Sequence, residues 1–317
     1  MKYFFILGLA LLSLSNSYAI SRPDGHAPIG IMGDHGHSKG DWMLSVRQMQ
    51  MQMEKLFDDS SEIDVFDETN FMMSPKSMTM NMTMLGVMYG VSDQWTLMLM
   101  LNYVDNKMDV ERKSGGEDIE MSSFGIGDSA IGGIYTLFEN ESSRLVMNLG
   151  FSLPTGSVSR DRSGSRLGYP MQLGAGSSGV YSSLNYAVFK NWGSLGSEVK
   201  LKTYLSENNQ EYQRGSEYSL SFWGSYLLAD QLAASIRLEH KAVDPIMGED
   251  EKMGSMSPVL LPNLQHGQRT FVHLGTNYIM NSGDRLAFEY GTPLAFQVSG
   301  PQMIPNSIVT LAWQKAF

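Results

Sequence analysis

The chain has 317 residues, a formal net charge of -10, 0 Cys and a mean hydropathy of -0.17. An acidic chain is ill suited to nucleic acid, whose phosphates call for a basic face. Without cysteine, neither a disulfide framework nor a thiolate metal site is available.

Met1 and Lys2 precede a short apolar run, Phe4 to Leu14, and then Ser17-Tyr18-Ala19. This is the three-part layout of a secretory signal peptide, expected over residues 1–19 and removed to leave Ile20 first. The apolar run is too short to span a bilayer, and no later stretch reaches the roughly 18 apolar residues that a transmembrane helix needs.

Residues 20–40 are rich in Gly and His. His26, His35 and His37 stand with Met32, Asp34 and Asp41. His-x-His beside a carboxylate offers the donors that suit Cu(II), Zn(II) or Ni(II). The segment is expected either to plug a lumen or to reach into the periplasm. A flexible leader with incidental histidines is the plainer alternative.

From residue 41 onward the pattern has a period of two, the signature of strands. Trp95, Leu97, Leu99, Leu101 and Tyr103 share one face, and Leu145, Met147, Leu149, Phe151 and Leu153 share another. The intervening positions of this and later segments carry Arg144, Asn148, Glu198, Lys200, Lys202, Arg237, Glu239 and Glu289. Charges regularly spaced between apolar residues place oil on one side and water on the other. Short connections fall near Ser92-Asp93, Asn140-Glu141, Asn191, Asp230 and Ser282-Gly283. Long polar ones fall near 55–76, 106–118, 154–170, 206–214, 243–268 and 298–306. Residues 41–317 therefore read as an all-β, transmembrane antiparallel barrel of about 12 strands with both termini periplasmic, in the outer membrane of a Gram-negative bacterium. Val309, Leu311, Trp313 and Phe317 form a terminal amphipathic strand ending in an aromatic residue, the signal for the barrel-assembly machinery; Lys315 departs from the pattern.

Three segments resemble the outer-membrane barrel family named after the meta-pathway of phenol degradation. They are Gly125-Ile126-Gly127-Asp128 on the fourth strand, Leu153-Pro154-Thr155-Gly156 ending the fifth, and Leu173-Gly174-Ala175-Gly176-Ser177 opening the sixth. The resemblance implies a porin-like or transporter-like barrel and supplies no functional residues. Ala27-Pro28-Ile29-Gly30-Ile31-Met32-Gly33-Asp34-His35, continuing to Trp42-Met43, resembles a Met- and His-rich branch of that family, which implies involvement with copper.

The chain holds 24 Met. Met43, Met49, Met51 and Met53 share a parity with Arg47 on the first strand. Met78, Met80, Met82, Met84 and Met88 share one on the second, and Met98 and Met100 lie opposite the Leu face of the third. A mid-membrane Arg facing lipid costs about 2–4 kcal/mol, so Arg47 turns the first set inward. The second strand's direction stays open, since its other face carries Thr79, Asn81 and Thr83 as well as Leu85 and Val87; if all three sets point inward, they build a wall of thioethers. Thioether sulfur suits Cu(I), and a row of weak sites lets an ion enter and leave; the bland reading is that Met fills irregular space.

The expected function is a channel or transporter handling copper or another soft metal ion as cargo, with no cofactor required. The alternative is a porin for small aromatic solutes. Outer-membrane lipid, the assembly machinery and a small solute or metal ion are the expected partners, and nucleic acid is not. An outer-membrane enzyme lacks a recognisable nucleophile and base here, since His37-Ser38-Lys39-Gly40 has the wrong spacing for a lipid-hydrolysing barrel. A structural barrel with acidic loops is a third reading. His240, His266 and His273 receive no role.

Overall fold

The computed structural model describes residues 22–317; the expected signal peptide lies outside the described residues. The alternation resolves into a closed barrel of twelve antiparallel strands. They are β1 Trp42–Met53, β2 Met73–Gly90, β3 Trp95–Arg112, β4 in two pieces (Ile119–Ile126 and Ser129–Asn140), β5 Ser143–Leu153 and β6 Gly179–Lys190. The second half comprises β7 Gly193–Tyr204, β8 Glu217–Ala229, β9 Leu232–Val243, β10 Gly267–Ile279, β11 Asp284–Met303 and β12 Ser307–Ala316. Each strand pairs with its sequence neighbours, and β12 returns to β1 in a register from Met43 opposite Ala316 to Gln52 opposite Ser307. Closure satisfies the backbone groups that hydrocarbon cannot, leaving no spanning edge unpaired among the described residues.

Side chains sort as the period of two requires. On β3, Leu99 is 40% exposed on the outer wall while Met98 is 4% exposed inside. On β5, Leu149 and Phe151 face outward while Arg144 and Asn148 are buried inward. At the end carrying the short turns, Trp42 packs against Tyr89, Trp95 against Tyr135 and Trp192 against Tyr226. Such rings suit the membrane–water boundary, where one edge meets oil and the other water. Trp42 and Phe317 exchange backbone hydrogen bonds at this same end, 3.2 and 2.8 Å.

Three expectations need correction. The connection expected near 106–118 is strand as far as Arg112, paired on both sides with β2 and with Ile119–Ile126. The stretch 298–306 is not simply a loop, because β11 runs on to Met303. The hairpin Leu56–Asp59 and Ser61–Glu62 supplies its partner there, with Phe57 opposite Gln302, so the polar sequence is paired beyond the membrane. Leu173 to Ser177 do not open the sixth strand, which starts at Gly179. They run as coil toward β4, for a reason that joins all three family-like motifs. β4 breaks at Gly127-Asp128, and the Asp128 carboxylate accepts the backbone N–H of Gly156 at 3.0 Å and of Ala175 at 2.8 Å. Thr155 donates its hydroxyl to the Gly127 carbonyl at 2.7 Å. A Cβ at Gly174 would collide with the Asp128 carboxylate, so this close approach requires glycine.

Candidate functional site

Residues 22–38 lie inside the barrel, gripped by inward side chains from around the ring. Arg144 on β5 donates to the Gly25 carbonyl at 2.7 Å, Arg285 on β11 to the Ala27 carbonyl at 2.7 Å, and Asn148 to the Gly33 carbonyl at 3.0 Å. Ser194 on β7 and Asn277 on β10 bond the carbonyls of Asp24 and Pro23 at 2.7 and 3.2 Å. The Gly30 N–H donates to Glu289 at 2.6 Å, and the His37 N–H to the Thr96 hydroxyl at 2.8 Å. Coil within a closed barrel must have its polar backbone met by side chains, and these charged and amide groups meet it. Ile29 and Ile31 are almost fully buried beneath β11 and β12 on one side and Ala187 and Trp223 on the other.

Much of this grip is missed by sequence reasoning. Alternation marks Arg144, Arg237 and Glu289 as inward but not as a network. Arg237 Nε lies 2.7 Å from Glu289 and its Nη1 3.1 Å from Glu239. His273, given no role above, is 3% exposed in this network, with Nε2 3.2 Å from Glu239. Its partners lie on the two flanking strands, Glu239 on β9 and Glu289 on β11, at separations set by turn and strand lengths, so spacing carried no signal.

The methionine sets do point inward, and register pairs them. Met43 stands opposite Met88, Met49 opposite Met82, Met51 opposite Met80, and Met53 opposite Met78. Across the next seam, Met78 faces Met108 and Met88 faces Met98. The wall is not one site, however, because different elements press on its three parts. Toward the long connections, Met53, Met78 and Met108 are sealed beneath Leu167, Met171 and Val259. Toward the short turns, Met43, Met88, Met98 and Met100 pack with Ile134 and Val146, and with Met32 of the inner segment. Between them, Met80, Met82, Met84, Met98 and Met100 border an open chamber of about 490 Å³.

The chamber's opposite wall is charged, with Lys200, Lys202, Arg214 and Lys241 set among Asp128, Glu198, Glu217 and Asp244. Lys200 and Lys202 of β7 line it, as do Glu217 and Lys241, which pair at 2.6 Å. Lys202 sits over the Tyr204 ring at 4.9 Å, and neither Lys200 nor Lys202 forms an ion pair among the described residues. The long connections cap the chamber. Arg166 pairs with Asp250 at 2.7 Å, and Tyr169 meets Tyr212 edge to face at 4.9 Å. Burial in this cap pushes the Tyr169 hydroxyl up to about 12. Below the chamber, Met32, Met84, Met98 and Met100 also border a gap of about 20 Å³, room for roughly one water. His35, Met43 and Gln314 join that gap to a vestibule of about 210 Å³ beside His26 and His37.

Of the nitrogen and oxygen donors expected to meet, His26, Asp34 and His35 do so, with ligand atoms all within 4.8 Å of one another. The rings of His26 and His35 lie 4.7 Å apart and those of His35 and His37 5.0 Å apart. Met32 joins the sulfur cluster instead. Burial first, then Arg285, holds the His26 imidazole well below its ordinary range, and burial lowers His37 to about 3. Burial opposes the Asp34 charge, but His35 and Arg144 hold its carboxyl well below the usual range. Both histidines are therefore neutral at physiological pH, beside an ionised carboxylate.

The model of the family described as "Putative MetA-pathway of phenol degradation" matches residues 76–292, more than half of the chain. The chain belongs to this family. No curated protein sequence matches it. Among solved structures, an outer-membrane channel from Pseudomonas putida has 16% identity and a TM-score of 0.61, covering 90% of this chain and 98% of that one. A FadL homologue from Pseudomonas aeruginosa has 10% identity and a TM-score of 0.42, covering 88% and 90%. The monoaromatic hydrocarbon channel TodX, as a mutant, has 10% identity and a TM-score of 0.46, covering 88% and 91%. This member of the phenol-degradation family thus has the fold of an outer-membrane barrel.

Proposed function

We propose that this barrel is an outer-membrane channel for small aromatic solutes bearing a weakly acidic or anionic group, with residues 22–38 as its plug. One observation carries the reading: a chamber with methionines on one wall and Lys200 and Lys202 on the other. Thioether sulfur makes favourable contacts with aromatic rings, about 0.3–1.5 kcal/mol each. An ammonium in a partly water-filled lumen attracts an anion by about 1–4 kcal/mol at 4 Å, depending on the local dielectric. A phenol or benzoate unites the two features, and the family's description in terms of phenol degradation agrees with it. The aromatic alternative is therefore preferred over copper as cargo.

The test is flux of benzoate at pH 8 into proteoliposomes holding the refolded protein, against a neutral sugar of similar size. Wild type should favour benzoate, and K200Q/K202Q should lower its flux about 5- to 30-fold, the loss of roughly 1–2 kcal/mol of attraction. Equal flux of benzoate and sugar through wild type, or an unchanged double variant, refutes the reading. The soft-metal reading draws on the same sulfurs, which flank the whole way from chamber to vestibule. It is tested by Cu(I) competition with a chromophoric chelator. A variant with Met49, Met51, Met80, Met82, Met98 and Met100 all replaced by Leu should bind less Cu(I), and unchanged binding removes it.

A further inference from the structure

The histidine cluster lies off the chamber, and the proposed solute pathway gives it no task. We infer that His26, Asp34 and His35 bind one divalent transition-metal ion, of the Cu2+ or Zn2+ class, which clips the inner segment in its folded form. The inference holds whatever solute the channel carries.

The geometry is that of a shell short of its centre. His35 Nδ1 and Asp34 Oδ1 are 2.9 Å apart, already the spacing of neighbouring ligands, and the His26 donor falls within 4.8 Å of both residues' ligand atoms. Donors around a tetrahedral ion with metal–nitrogen bonds of about 2.0–2.1 Å stand about 3.3 Å apart, so a swing of the His26 ring by up to about 1.5 Å completes the set. His26 Nδ1 is a buried atom with no hydrogen-bond partner among the described residues, although the residue is only 8% exposed. An orphaned buried nitrogen is destabilising unless something supplies what it lacks. A metal ion does so directly. Asp34 Oδ2 is occupied by the Ala27 N–H at 2.8 Å and lies 3.5 Å from Arg144, which turns Oδ1 toward the histidines.

The donor types select the ion. Two imidazoles with one carboxylate suit copper and zinc, whereas calcium and magnesium take oxygen shells. A fourth position opens onto the 210 Å³ vestibule, where His37 Nε2 is a second buried nitrogen without a partner. The ion would join residue 26 to residues 34 and 35. That fixes the intervening bend, whose Gly30 and Gly33 backbone groups meet Glu289 and Asn148. An ion that binds only the folded bend holds the plug by mass action.

The experiment uses untagged, refolded full-length barrel, stripped with EDTA and titrated with CuSO4 under electron paramagnetic resonance. We expect one Cu2+ per chain with nitrogen hyperfine structure from two imidazoles. H266Q should keep it, while H26Q/H35Q should bind at least tenfold more weakly. A wild type without a stoichiometric site overturns the proposal. So does a double variant that keeps the affinity while still showing barrel circular dichroism and heat-modifiable gel migration. If the double variant does not refold, the wild type decides: Zn2+ should protect His26 and His35, but not His266, from diethyl pyrocarbonate, read by mass spectrometry. Unprotected His26 and His35 overturn the site. Benzoate flux is read separately, so either proposal can fail alone.

Discussion

Replacing Glu289 by Gln keeps the outline of the side chain and removes its charge. One carboxylate oxygen lies 2.7 Å from Arg237 Nε, and the other accepts the Gly30 N–H at 2.6 Å. A single residue thus links the wall to the inner segment. Removing one member of a buried ion pair costs about 3–5 kcal/mol where nothing replaces it. Here Glu239 still holds Arg237 at 3.1 Å, which reduces the cost to about 2 kcal/mol. The cost falls on the docked state, because water refills the lumen and hydrates Arg237 once the segment leaves. At about 1.4 kcal/mol per factor of ten, the released fraction should rise roughly 30-fold. The barrel wall should be unaffected, since its backbone ladders do not involve this side chain. Single-channel recording in planar bilayers reads the change as longer occupancy of a larger conductance level. An E289Q barrel with unchanged heat-modifiable migration and the same open occupancy as wild type would refute the docking argument.

Three further outcomes test other parts of the structure. Leu99→Arg places a charge on the lipid face and should lower unfolding stability in vesicles by about 2–4 kcal/mol, whereas Met82→Gln, facing the chamber, should lower it by under about 1 kcal/mol. Equal losses in urea titration would show that the two faces are wrongly assigned. Leu at Met80, Met82, Met84, Met98 and Met100 nearly conserves volume, so the barrel should fold, while benzoate flux falls several-fold as the sulfur–ring contacts are lost. Undiminished flux would leave the sulfurs with a filling role. Asp250→Asn breaks the buried pair with Arg166 and should speed limited proteolysis within 244–266 about tenfold, a loss of roughly 1.5 kcal/mol in cap closure. Cleavage at the wild-type rate would mean the cap does not depend on that pair.

The barrel was legible because its signal is local: Leu97, Leu99 and Leu101 against Met98 and Met100 state the face of β3 within a few residues. The inward turn of Met43 to Met53 was legible for the same reason, with Arg47 fixing the parity. What the methionines touch was not legible. Met78 and Met82 share a strand and a face, yet one lies under the cap and the other borders the chamber, because loop residues distant in sequence decide it. The nearness of His26 to His35 likewise depends on a bend stabilised by Glu289 and Asn148, about 260 and 115 residues away. The family-like glycine motifs marked a place without its reason, which is the Asp128 carboxylate that draws three connections together.

The seam between β1 and β12 joins the two ends of the chain, and the inner segment directly precedes β1. Ordering so long a loop is slow, so this seam is the natural last step of ring formation. The segment's anchors, Arg144 and Asn148 on β5 and Arg285 and Glu289 on β11, face one another only once the sheet has curled. Residues 22–38 therefore meet all four anchors only as the cylinder is sealed. Assembly and docking of the inner segment are thereby coupled, since sealing the cylinder also completes the set of groups that hold it.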